Sequence, residues 1–97
     1  MLTKKEILEI LKKYHEEHGA DYGIVSLGVF GSFARDAASN TSDVDVVIQL
    51  KEPNLFTLSR IRIELEDLLH RHVDMVSYRQ RMNPFLKNRI EGEACYV

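Results

Sequence analysis

Apolar residues in the first part of the chain recur every three or four positions, with charged residues between them. Ile7, Leu8, Ile10, Leu11 and Tyr14 share one face. The spacing predicts an amphipathic helix over residues 3–18, opened by a Thr3/Glu6 capping box and stopped by Gly19. The period then changes. Tyr22 to Phe30, "YGIVSLGVF", is rich in β-branched and aromatic residues and predicts a first strand. A Gly-Ser turn, a short helical turn in "SFARDAA" and a loop at "SNTS" follow. Asp43 to Leu50, "DVDVVIQL", predicts the second strand, closed by Lys51 to Asn54 with Pro53. Residues 55–70 return to helical spacing, with Leu58, Ile61, Leu65, Leu68 and Leu69 as the core stripe. Phe56 and Ile63 lie on roughly the opposite face, which suits either secondary packing or a partner interface. His72 to Tyr78 predicts a short third strand. Asn83 and Pro84 start a last helix in "PFLKNRIEGEA" as cap and first-turn residue, and the tail "CYV" is extended.

Composition narrows the classes. A chain of 97 residues with 44% hydrophobic and 29% charged residues reads as one soluble domain, residues 1–97, with no deep enclosed pocket. The 13 Lys and Arg against 15 Asp and Glu leave a net charge of −2, which argues against general nucleic-acid binding. A local basic cluster, Arg79, Arg81, Lys87 and Arg89, remains as a solvated face or a contact for a nucleotide, RNA or acidic partner. A single cysteine, Cys95, suits a reducing compartment. The charged N-terminus lacks a signal-peptide core and the apolar runs are too short to cross a bilayer, so the expectation is a cytoplasmic protein with no membrane contact.

The acids carry the chemistry. Successive strand side chains alternate, so Asp43 and Asp45 project from one face about 6.5 Å apart while Val44, Val46 and Ile48 face the core. Asp74 sits inside another apolar strand, where charge needs a reason. Together the three suit Mg²⁺ and a two-metal site for phosphoryl transfer. Gly31 permits close approach of a phosphate, Ser32 and the following backbone N–H groups can hold it, and Arg35 can neutralise its charge. Plainer readings stand beside these: a solvated strand start for Asp43 and Asp45, an Arg71 partner for Asp74, a helix cap for Ser32 and a structural ion pair for Arg35. His15, His18, His70 and His72 show no metal-ligand pattern.

Gly31-Ser32-Phe33-Ala34-Arg35, then Asp43-Val44-Asp45 with ten residues between Ser32 and Asp43, and Asp74 in a later strand, closely resembles the polymerase-beta-like nucleotidyltransferase superfamily. The short chain is similar to its minimal nucleotidyltransferases (MNT). That resemblance implies an α/β (α+β) fold, a small mixed β-sheet flanked by helices. It implies transfer of AMP from ATP with two Mg²⁺ ions, Asp43, Asp45 and Asp74 as metal ligands and catalytic acids, and Gly31, Ser32 and Arg35 at the nucleotide. The partner it implies is a HEPN-domain toxin, modified on a tyrosine, with this chain as antitoxin. Alternatives are an antitoxin that neutralises by binding alone, or transfer to a small molecule or RNA. The chain departs from the family at Asp36, where glycine is usual. Asp tolerates a left-handed backbone, but its charge near a triphosphate would weaken nucleotide binding.

Overall fold

The computed structural model describes residues 2–97; Met1, the first residue of the expected 1–97 domain, lies outside it. The elements in order are α1 (Lys4–Tyr22), β1 (Ile24–Phe30), α2 (Gly31–Ala34), β2 (Val44–Leu50), α3 (Leu55–Leu69), β3 (Val73–Ser77), α4 (Pro84–Glu93) and β4 (Cys95–Tyr96). The four strands form one mixed sheet in the order β3-β2-β1-β4. β1 is antiparallel to β2 and β4, whereas β2 and β3 run parallel and are connected through α3.

The expected caps are present. Thr3 accepts the Glu6 N–H at 3.2 Å and Glu6 returns a carboxylate to the Thr3 N–H, the reciprocal bonds of a capping box. Asn83 caps α4 through its side-chain oxygen as expected, and Asn54, read only as part of the close of the second strand, caps α3 in the same way. The stop of α1 is a correction. Gly19 is buried inside the helix, which runs on one further turn to Tyr22. The terminator is Gly23, at φ +66°, with its N–H bonded to the Gly19 carbonyl. A glycine lowers helix propensity but ends a helix only where the chain turns left-handed, and tertiary packing chooses that place. That packing is a polar clasp: the Tyr14 hydroxyl donates to Glu64 Oε1 at 2.7 Å and the Tyr22 hydroxyl to Oε2 at 3.1 Å. Burial, then the Glu64 carboxylate, pushes the Tyr14 hydroxyl far above its ordinary value.

The sheet has an apolar layer on each side. On one, Leu27, Val29, Val44, Val46, Ile48 and Val73 pack against Ile7, Leu11 and Tyr14 of α1 and Ile61, Leu65 and Leu69 of α3. Val44, Val46 and Ile48 thus face the core as their alternation predicts. On the other, Phe30 and Val47 pack against Ile90 of α4. Leu68, assigned to the α3 stripe, is 49% exposed. The buried row follows the four-residue steps 61, 65, 69, which leaves Leu68 on the flank beside Ile10 and Tyr14. Phe56 and Ile63 face outward, at 88% and 52% exposure.

The two glycines of α1 give a test by denaturant unfolding. Gly23→Ala is expected to cost about 1–2 kcal/mol, because alanine at positive φ is strained. Gly19→Ala should cost less than Gly23→Ala. Alanine's propensity gain of about 1 kcal/mol offsets its approach to the His15 ring, a flexible side chain 2.8 Å from the added Cβ.

Candidate active site

Strand register brings the acids together. Asp45 lies opposite Asp74 in the parallel β2-β3 ladder and opposite Phe30 in the antiparallel ladder with β1. In-register residues on neighbouring strands, about 4.8 Å apart, point to the same side, here the α4 side of the sheet. Asp43 precedes β2 by one residue and is exposed, as is Asp74, while Asp45 is half-buried. Burial and then Asp74, with a smaller push from Asp43, raise the Asp45 carboxyl above the ordinary Asp value; Arg89 and Arg35 act against them. Register thus joins Asp45 and Asp74 directly, and Asp43 lies two residues before Asp45 in the chain. Arg71 does not pair with Asp74. It donates to the Ser42 carbonyl at 2.6 Å and lies over the Phe33 ring at 5.6 Å.

Gly31 begins the turn facing these acids. Its φ is +75°, and a Cβ there would land on the Asp45 carboxylate. Glycine is therefore demanded by the acid itself, apart from any phosphate. Ser32 does not cap α2: Phe30 occupies the N-cap without a side-chain bond, and Ser32 is the second helical residue. The end of α2 is a Schellman motif, with Ala37 N–H bonded to the Ser32 carbonyl at 2.8 Å and Asp36 N–H to the Phe33 carbonyl at 3.3 Å. Asp36 takes the left-handed position at φ +56°. Its backbone does what a glycine there would do.

Arg35 makes the structural ion pair. Its Nη1 lies 3.0 Å from both carboxylate oxygens of Glu93, at the end of α4. Glu93 Oε2 also accepts the Gly31 N–H at 3.2 Å and lies 3.9 Å from Arg89. Arg89 in turn sits over the Phe30 ring at 5.9 Å. Sequence reasoning missed Glu93. Its four-residue spacing from Arg89 was a visible signal; its contact with a turn 58 residues earlier was not. Of the histidines, His70 ends α3 in a left-handed conformation and His72 Nδ1 lies 3.1 Å from Glu66.

Among the described residues, no three His, Cys, Asp or Glu side chains are close enough to enclose a metal ion by themselves. Mg²⁺ is often held by one or two carboxylates with substrate phosphates and water completing its shell. A half-buried carboxylate strained by a neighbouring one fits that shared arrangement, and not a site closed by protein alone.

The sequence model of the family described as "Nucleotidyltransferase domain" matches residues 4–97. A Methanocaldococcus jannaschii chain named "putative protein adenylyltransferase" is 38% identical over 98 residues, covering 100% of both chains. The solved structure of a "putative minimal nucleotidyltransferase" is 36% identical, with a TM-score of 0.72 over 91% of this chain and 93% of that one. The MNT-antitoxin complex with the tri-AMPylated Shewanella oneidensis HEPN toxin gives a TM-score of 0.70 at 14% identity, over 97% and 71% of the two chains, a likeness of fold alone.

Two expectations follow from the geometry. Folded Asp45 holds its proton more tightly than an unfolded Asp, so stability falls as pH rises from the ordinary Asp value through the raised one. Asp45→Asn removes that loss. Thermal unfolding at pH 7 should show Asp45→Asn more stable than the wild type, with the difference shrinking towards zero as pH falls below the ordinary Asp value. Asp36→Gly, which relieves the left-handed backbone, should be neutral or stabilising by up to about 1 kcal/mol in the same measurement, whereas Asp36→Val should destabilise.

Proposed function

The chain belongs to the nucleotidyltransferase domain family, and from that membership we propose that it transfers AMP from ATP to a hydroxyl of a protein partner. The partner class is a HEPN-domain toxin, with a tyrosine as acceptor and this chain as antitoxin. The observation that carries the reading is the register of Asp45 with Asp74, opposite a turn whose first residue must be glycine to clear the Asp45 carboxylate. The homologue's adenylyltransferase name and the fold shared with MNT antitoxins support the substrate and the partner.

Roles follow from position. Asp43, Asp45 and Asp74 would hold Mg²⁺ between protein and nucleotide, and magnesium bound there would draw charge from the attacking and leaving oxygens. Asp74, exposed on the edge strand β3, is open to a macromolecular acceptor, and would orient the acceptor hydroxyl and take its proton. The hydroxyl oxygen bonds to the α-phosphorus, the α–β phosphoanhydride bond breaks, and pyrophosphate leaves. Gly31, Ser32 and Arg35 would receive the departing phosphates. The open, half-covered sheet face suits a protein acceptor better than a small molecule that needs enclosure.

A second reading has one observation in its favour. Asp36 sets a carboxylate at the end of the turn that would receive the phosphates, which disfavours nucleotide binding and favours neutralisation by binding alone.

The test is label transfer. With a HEPN-domain protein shown to bind the chain, ATP labelled on the α-phosphate should label the partner in the presence of Mg²⁺, whereas γ-labelled ATP should not. Asp45→Asn and Asp74→Asn should each reduce the rate at least about a hundredfold, and chelation of Mg²⁺ should abolish it. An unlabelled partner within a demonstrated complex would overturn catalysis. Full protection against the toxin by both variants would favour neutralisation by binding alone.

A further inference from the structure

Glu93 is an oddity in a cleft that already holds three acids. Its Oε2 collects three positive contacts: the Arg35 guanidinium at 3.0 Å, the Gly31 N–H at 3.2 Å and the Arg89 guanidinium at 3.9 Å. Two guanidiniums and a backbone N–H on a single oxygen are the surroundings a phosphate oxygen would seek. All three donors lie beside Asp45. Arg89 covers the ring of Phe30, its register partner, and a Cβ on Gly31 would meet its carboxylate. Both guanidiniums also hold the Asp45 carboxyl down against burial and Asp74.

We propose that Glu93 is a positioning residue: its carboxylate holds Arg35 and Arg89 together beside Asp45 and is replaced by the phosphate tail of the nucleotide. The inference rests on the reading that this cleft binds a nucleoside triphosphate, and adds Arg89 to the residues that receive it. Two like charges need a shared anion to stay side by side, and Glu93 supplies one when substrate is absent. Its side chain is 22% exposed and those of Arg35 and Arg89 are 45% and 50% exposed, so an arriving anion can reach both guanidiniums from solvent. With Glu93 in place the cleft sets four carboxylates against two guanidiniums, and a polyphosphate must displace one of the four. The surplus acid therefore costs affinity while keeping the arginines assembled.

A merely structural ion pair predicts the opposite sign, which makes the test decisive. Calorimetry with Mg²⁺–tripolyphosphate and with AMP should be run on the wild type, Glu93→Gln and Arg89→Met. Glu93→Gln keeps an acceptor for the Gly31 N–H but loses the charge. It should bind tripolyphosphate about fivefold or more tighter than the wild type, the effect of removing one like charge near the surface. Its midpoint of thermal unfolding without ligand should fall. Arg89→Met leaves the Arg35–Glu93 pair intact and should bind tripolyphosphate about fivefold or more weaker. AMP, which lacks the tail, should distinguish none of the three. Equal or weaker tripolyphosphate binding by Glu93→Gln, unchanged binding by Arg89→Met, or no binding by any of the proteins would overturn the role. AMP transfer by the wild type alongside such a result would leave the proposed reaction standing. Tighter binding by Glu93→Gln with no transfer by the wild type would sustain the role and remove the reaction.

Discussion

The Asp45 carboxylate fills the space that a side chain on residue 31 would need, and much of the cleft is arranged around that contact. Asp45 is anchored by ladders on both sides, which fixes its backbone and Cβ, and a Cβ on residue 31 would crowd that Cβ as well as the carboxylate. Residue 31 must then lack a Cβ and adopt positive φ, which turns the chain directly from β1 into the short α2. The acid and the turn are thereby locked in one relative position. Pre-set geometry of this kind lets a small site act on a phosphate without a deep pocket.

The charge in that contact has consequences for the rest of the face. A half-buried carboxylate beside a second one in register is costly unless cations come near. Arg35 and Arg89 arrive from α2 and α4, elements far apart in sequence, and both temper Asp45. Glu93 then holds the two arginines. The α4 side of the sheet is thus apolar where Ile90 meets Phe30 and Val47, and ionic where the strands begin or end beside the turn. The opposite side carries no such compromise. There α1 and α3 close a continuous apolar layer, with Tyr14, Tyr22 and Glu64 joining the two helices.

Much of this was legible along the chain. Alternation of 43, 45 against 44, 46, 48 reported which side of β2 faced the core, because strand geometry is local. Thr3 with Glu6, and Asn83 with Pro84, announced helix starts for the same reason. The misreadings share a cause. Gly19 looked like a stop, yet the Glu64 clasp carries α1 on to Gly23. Leu68 matched the helical period, but the neighbouring helix crosses along a different row of residues. Ser32 looked like a cap, and the turn places Phe30 there instead.

Asp36 marks the boundary well. Sequence alone says that an aspartate stands where a left-handed residue belongs and that aspartate tolerates such a backbone, since both depend on one residue and its neighbours. Element types, caps, the side of β2 bearing the acids and the Gly-Ser turn are decided in the same way, within a few residues. The pairing of Asp45 with Asp74, the clearance demanded of Gly31 and the gathering of Arg35, Arg89 and Glu93 depend on strand register and on where α4 packs. Those follow from the free energy of the whole folded chain, in which residues nearly sixty positions apart touch, and no local pattern encodes them.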